Sequence, residues 1–199
     1  MSIRWFSSMS AQISIVIASL ILGFALPCFA ADARETIDAT ARGTSTQMGR
    51  DVNIKVLIYS YSTDEDRAAL KQAFAKGQSQ GLADALSKMP AVGRIQIPGT
   101  VGYELGYARM ISTPAGRKIR FAANRRIAFG EAYADTRSKS YNLTAGEFDL
   151  NDKDSKKSTG VLFPAAQLII NKQGELQFEL YKNPWQLVNI IDWNAKEKD

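Results

Sequence analysis

Arg50-Asp-Val-Asn-Ile-Lys-Val-Leu-Ile-Tyr-Ser-Tyr61 decides the fold. Val52, Ile54, Val56 and Ile58 alternate with Asp51, Asn53 and Lys55. One face is apolar and the other polar, the period-two signature of a half-buried strand. From Leu57 the second face turns apolar too, through Tyr59 and Tyr61. A strand buried on both faces at its end must be covered there.

The next residues are expected to supply the cover. Ser62-Thr-Asp-Glu65 matches the capping box, with Ser62 accepting from the Glu65 amide. Asp64, Glu65 and Asp66 place negative charge at the positive end of a helix dipole. Ala69, Leu70, Ala73 and Phe74 form a helical stripe that Gly77 can stop. A second helix follows from about Ser79, with Leu82, Ala85, Leu86 and Met89 at i, i+3, i+4 and i+7, and Pro90 ends it. The two stripes are expected to pack on the Leu57/Tyr59/Tyr61 face.

Upstream, residues 1–30 read as a cleaved signal peptide. Arg4 is the only charge, Ile13 to Leu26 is an apolar run too short for a confident span, and Cys28-Phe-Ala30 ends in small residues before Ala31. Cleavage there leaves 169 of the 199 residues, enough for one domain with a real core. A secreted or periplasmic location is expected, with no stable membrane span after cleavage. Residues 31–49 read as a flexible polar lead, 50–193 as a single α+β domain, and 194–199 as a charged tail.

Downstream of Pro90 the period changes from helical to alternating. Val92 to Pro98, Val101 to Thr113 and Arg117 to Ala123 read as strands, the last two joined at Pro114-Ala-Gly116. Gly102 and Gly106 mark bending. Further strands are expected from Ser140 to Leu150, Gly160 to Ile170, Glu175 to Tyr181 and Trp185 to Trp193. The expected fold is α+β: a strongly curved antiparallel sheet or partly open β-barrel of about seven strands. A two-helix hairpin follows its first strand. This element order is similar to the start of the helix-grip fold of lipid and hormone carriers. The likeness is one of topology and departs at the C-terminus, where Pro184 to Trp193 stands in place of a long helix.

Composition narrows the chemistry. The chain has no histidine, and its single cysteine lies in the signal. Ser-His-Asp catalysis, cysteine nucleophiles, disulfides and the usual zinc and copper sites are therefore excluded from the mature chain. No P-loop and no G-x-G-x-x-G opens a helix, so no catalytic residue, metal or cofactor is assigned. The net charge of +5 falls to +4 without Arg4, too mild to imply nucleic acid.

Four polar residues remain candidates for acid/base chemistry or for gripping a polar ligand group: Glu104, Glu131, Asp135 and Arg137. Arg117, Lys118, Arg120, Arg125 and Arg126 form a basic set, read either as an anionic-surface site or as the solvated face of an edge strand. The aromatic and apolar candidates for a ligand cavity are Tyr59, Tyr61, Phe74, Leu86, Tyr103 and Tyr107. The leading expectation is an exported, non-enzymatic binding protein for a small apolar or amphipathic ligand, held between sheet and helices. The alternatives are an envelope interaction module with a protein partner, acting through edge strands or the basic face, and a carboxylate-based hydrolase.

Overall fold

A computed structural model describes residues 34–44, 48–127, 142–170, 176–180 and 184–194, with backbone alone at 167–170 and 176–180. The expected signal peptide lies outside these residues.

The opening stretch is β2 (Asp51–Ile58). Ile54, Val56 and Ile58 are buried to 1% exposure or less, so the inward face is the one the alternation predicts. On one side β2 pairs with β3 (Gly93–Gln96). On the other it pairs with β1 (Glu35–Arg42), in unbroken register from Glu35↔Ile58 to Arg42↔Asp51. The residues expected as a flexible lead thus include a barrel strand. Glu35, Ile37, Ala39 and Ala41 all turn inward, but two alanines and a carboxylate make a faint apolar stripe.

The remaining strands are β4 (Tyr103–Leu105), β5 (Tyr107–Thr113), β6 (Gly116–Ala123), β7 (Leu143–Asn151), β8 (Thr159–Ile170), β9 (Leu176–Leu180) and β10 (Trp185–Asp192). All pairings are antiparallel, in the order β4-β3-β2-β1-β10-β8-β7-β6-β5, with β9 beside β8. The first and last members of that path, β4 and β5, are separated in the chain by Gly106 alone. Its amide donates to the Ala122 carbonyl of β6 at 3.1 Å. One bent strand therefore belongs to both edges, and the sheet curls into a nearly closed barrel. The described residues form ten strands where about seven were expected: β1 joins the sheet and Val101–Thr113 divides at Gly106, which adds two to the stretches read from the sequence.

The same bend shifts the alternation by one residue. Leu105 and Ala108 both face the core, while Tyr107 turns outward. Ile37, Val56, Ile95, Ile119, Phe121, Phe148, Leu162 and Leu187 fill the interior at 2% exposure or less. The Phe121 and Phe148 rings lie 5.7 Å apart; each buried ring contributes about 1.5–3 kcal/mol. Gly146 sits over Phe121, and a Cβ there would fall 2.2 Å from the ring.

The expected two-helix hairpin is instead one helical element, α1 (Asp64–Leu86), kinked where Gly77 and Gln78 leave helical geometry. Two residues break the direction without making a loop. Its capping box lies one residue later than read: the Asp66 amide donates to Thr63 Oγ1 and the Thr63 amide to Asp66 Oδ2. Ser62 bonds to β5 instead, through both backbone and hydroxyl contacts with Ala108. The helix also covers a different surface. Leu70, Phe74, Leu82 and Leu86 pack on Leu143, Tyr107 and Ala122, the outer wall of β5–β7, and not on Leu57, Tyr59 and Tyr61. With β1 preceding β2, α1 follows the second strand, so the helix-grip order does not hold.

Candidate functional site

Strand directions define two ends of the barrel. At the upper end lie the β3–β4 turn and the end of β6. At the lower end lie the start of β1, the start of β6 and the end of β10.

The upper end is built by a tight turn. The Thr100 amide and hydroxyl both donate to the Ile97 carbonyl, at 3.0 and 2.8 Å. Gly102 returns the chain at φ +75°, with Ile95 O and Gln96 Cβ each 2.4 Å from where a Cβ would sit. Any side chain there would be strained and would collide with backbone. Across from the turn, Ile127 is fixed by Thr144. The Ile127 amide donates to Thr144 Oγ1 at 2.9 Å and approaches the Pro164 carbonyl at 3.0 Å. Thr144 is fully buried, and its hydroxyl also lies 2.8 and 2.9 Å from the carbonyls of Arg125 and Pro164. Pro164 has no N–H to offer the ladder, and its carbonyl serves there as the acceptor.

Between these walls lies a cavity of about 320 Å³, lined by Ile95, Gln96, Ile97, Thr100, Gly102, Tyr103 and Ile127. Its floor is the barrel core, since Ile95 and Ile127 belong to the buried interior and Ile97 and Tyr103 pack against it. Among the described residues the lining has no carboxylate, ammonium or guanidinium group. Aliphatic walls with an amide, a hydroxyl and a phenol along them suit a ligand with an apolar body and one polar edge.

The lower end is closed by charge. Arg117 shares the inward side of β6 with Ile119 and Phe121. Its guanidinium lies 3.3 Å from Glu35 and also pairs with Asp192 and Asp152. Arg117, Glu35 and Asp192 side chains are 12%, 11% and 9% exposed. Burial opposes the charge on Arg117, but Glu35, Asp192 and Asp152 outweigh it and raise its pKa. Tyr61 donates to Glu35 Oε1 at 3.1 Å, and Arg34 stacks over its ring at 5.1 Å. Burial first, then the Glu35 charge, pushes the Tyr61 phenol above its ordinary range.

The candidates from the sequence are dispersed. Tyr103 lines the upper cavity, and Tyr61 lies at the opposite end. Phe74, Leu86 and Tyr107 come together, but in the packed cluster beneath α1. Tyr59 is half-buried, its amide donating to Val92. Glu104 faces outward, two-thirds exposed, 3.6 Å from Arg94. Glu131, Asp135 and Arg137 lie outside the described residues.

The basic set is not one face. Arg117 points inward, while Lys118 and Arg120 are paired to Glu147, and Lys118 also to Asp149. β6 has neighbours on both sides, β5 and β7, so it is not the edge strand that reading required. Asp154 caps a short 3-10 turn, accepting from the Lys156 amide. Among the described residues no group of three His, Cys, Asp or Glu is placed to hold a metal, and no helix is long and apolar enough to cross a membrane.

Thr144 and Glu35 were not singled out from the sequence. A parity signal existed for Arg117 and Glu35, which share alternation with Ile119/Phe121 and Ile37/Ala39. Nothing local marked Thr144. The chain matches no protein-family profile, no curated protein and no solved structure.

Proposed function

We propose that this chain is an exported, non-enzymatic binding protein that takes one small amphipathic ligand into the upper end of its barrel. The observation that carries this reading is the cavity bounded by Ile95, Ile97, Tyr103 and Ile127, with Gln96 and Thr100 at its polar edge. Its volume of about 320 Å³ falls at the small end of ligand pockets, about 300–1,000 Å³. Two features favour binding over turnover. Among the described residues the lining holds no acid–base pair, and the Thr100 hydroxyl is already committed to the Ile97 carbonyl. The rigid turn and the Thr144 anchor pre-form the walls, which lowers the ordering cost of binding. Export rests on the first thirty residues.

Mass spectrometry of the gently purified protein tests the reading. The expected result is a co-purifying small amphiphile at one per chain, displaced when Ile127 is replaced by aspartate. A protein that is consistently empty and has no measurable affinity for medium-chain fatty acids or similar amphiphiles would overturn it.

A further inference from the structure

Strand β5 has two sides, and its register with β6, from Tyr107↔Ala122 to Thr113↔Gly116, occupies one of them. Ala108 turns its backbone to the other side. Its amide donates to Ser62 Oγ at 3.1 Å, and its carbonyl accepts from the Ser62 amide at 2.7 Å. An antiparallel ladder alternates, so Met110 and Ser112 turn their N–H and C=O groups the same way as Ala108, while Arg109, Ile111 and Thr113 bond to β6. Among the described residues nothing pairs with the backbone of Met110 or Ser112 on that side. The side chains leave the edge accessible as well. Met110 is 40% exposed, Ser112 is exposed and Ile111 is half-buried. Arg109, the one charged residue of β5, is drawn to Asp64 of α1 at 2.7 Å. Neither lysine nor proline, the usual guards of an open edge, stands within the strand.

We propose that a second copy of the chain docks on this edge, its β5 running antiparallel to the first. The ends of the edge fix the register. Ser62 holds the groups of Ala108, and the turn at Pro114 follows Thr113, so two outward residues are left between them. Setting Met110 against Ser112 of the second copy, and Ser112 against its Met110, uses both, and each pair exchanges both of its N–H···O bonds. The two Ile111 side chains then meet on the two-fold axis, as a close cross-strand apolar pair. Centring the pairing on Met110 instead would set Ser112 against Ala108, whose groups Ser62 already holds. In the favoured register Arg109 stands opposite Thr113, so no like charges face each other. The edge matches itself, outward residue for outward residue, which favours a second copy over a foreign strand, and such a contact closes at two chains.

Sedimentation equilibrium of the purified protein, from about 1 μM to about 1 mM, is the first test. So short an edge predicts a weak monomer–dimer equilibrium, with a Kd of about 0.1 mM. Met110→Pro removes an N–H that β6 does not use, so the ladder stands. It is expected to weaken association at least about tenfold and to leave the far-ultraviolet circular dichroism spectrum unchanged. If that variant does not fold, Ile111→Lys takes its place, setting two ammonium groups against each other across the axis. Cross-linking reads the register. With Cys28→Ser removing the native thiol, Ile111→Cys should oxidise to a disulfide-linked dimer, because that residue faces itself. Arg109→Cys, which faces Thr113, should not. Association undiminished in the folded edge variant, or equal cross-linking at positions 109 and 111, would overturn the proposal. A monomer at every concentration would also overturn it, and would leave the edge to a strand of another protein.

Discussion

Arg117 of β6 and Glu35 of β1 meet at 3.3 Å across the lower end of the barrel, 82 residues apart in the chain. The contact joins two strands that share no ladder, and Asp192 of β10 joins the same guanidinium. Removing the arginine would take the guanidinium from two largely buried carboxylates, leaving Glu35 the Tyr61 hydroxyl and Asp192 the Asn194 amide among their contacts. A buried pair broken on one side costs about 3–5 kcal/mol. Arg117→Met is therefore expected to lose about 3 kcal/mol in urea unfolding. Adding Glu35→Gln to Arg117→Met should cost less than Glu35→Gln alone; strict additivity would show that the two side chains are not coupled.

Tyr61 reports on the same cluster by pH. Its folded pKa is raised above the ordinary value of about 10. The stabilisation tied to its neutral form is thus intact below pH 10 and is lost as pH rises toward the folded value. An ultraviolet titration should show a tyrosine step above the ordinary range, and Tyr61→Phe should remove it. A titration curve left unchanged by Tyr61→Phe above about pH 10 would be the contrary result.

At the acid end the outer wall responds. Burial works against the Glu147 charge, but hydrogen bonds from Arg120 and Lys118 prevail and lower its pKa. A depressed carboxylate contributes stability above its unfolded pKa, about 4.3, and loses it as pH falls through the folded value. Glu147→Gln should flatten the fall in thermal midpoint below about pH 4.3 relative to wild type. An unchanged slope would dissociate Glu147 from acid stability.

Gly146 tests the packing of the interior. A Cβ at this position would lie 2.2 Å from the buried Phe121 ring, which is confined against Phe148. Gly146→Ala is expected to cost about 1–3 kcal/mol. Gly146→Ala combined with Phe121→Leu should recover part of that loss by removing the obstructing ring. A neutral Gly146→Ala would mean that the ring has room to move.

Much of the sheet is legible in the sequence because alternation is local. Asp51 to Ile58 and Arg117 to Ala123 each show a clean period of two, and their inward residues are those the pattern names. The parts that are not legible depend on contacts far along the chain. Glu35 to Arg42 is stabilised by its ladder with β2 more than by its weak apolar stripe. Tyr107 faces the helix because Gly106 bends the strand and turns Ala108 to the core in its place. The candidate site fares worse for the same reason. Only Tyr103 of the apolar set lines the upper cavity; Ile95, Ile97 and Ile127 read as ordinary core, and the Thr144 hydroxyl that fixes Ile127 has no local signal.

The upper cavity can be probed directly with the amphipathic fluorophore 1-anilinonaphthalene-8-sulfonate. The folded protein is expected to bind one molecule saturably, with a Kd in the micromolar range (about −8 kcal/mol). Ile97→Asp and Ile127→Asp, which place a charge in the apolar wall, should each weaken binding by at least about tenfold, while Lys118→Ala on the outer wall leaves it unchanged. Absence of saturable binding, or equal binding by the wild type and both aspartate variants, would contradict a ligand site at the upper end of the barrel.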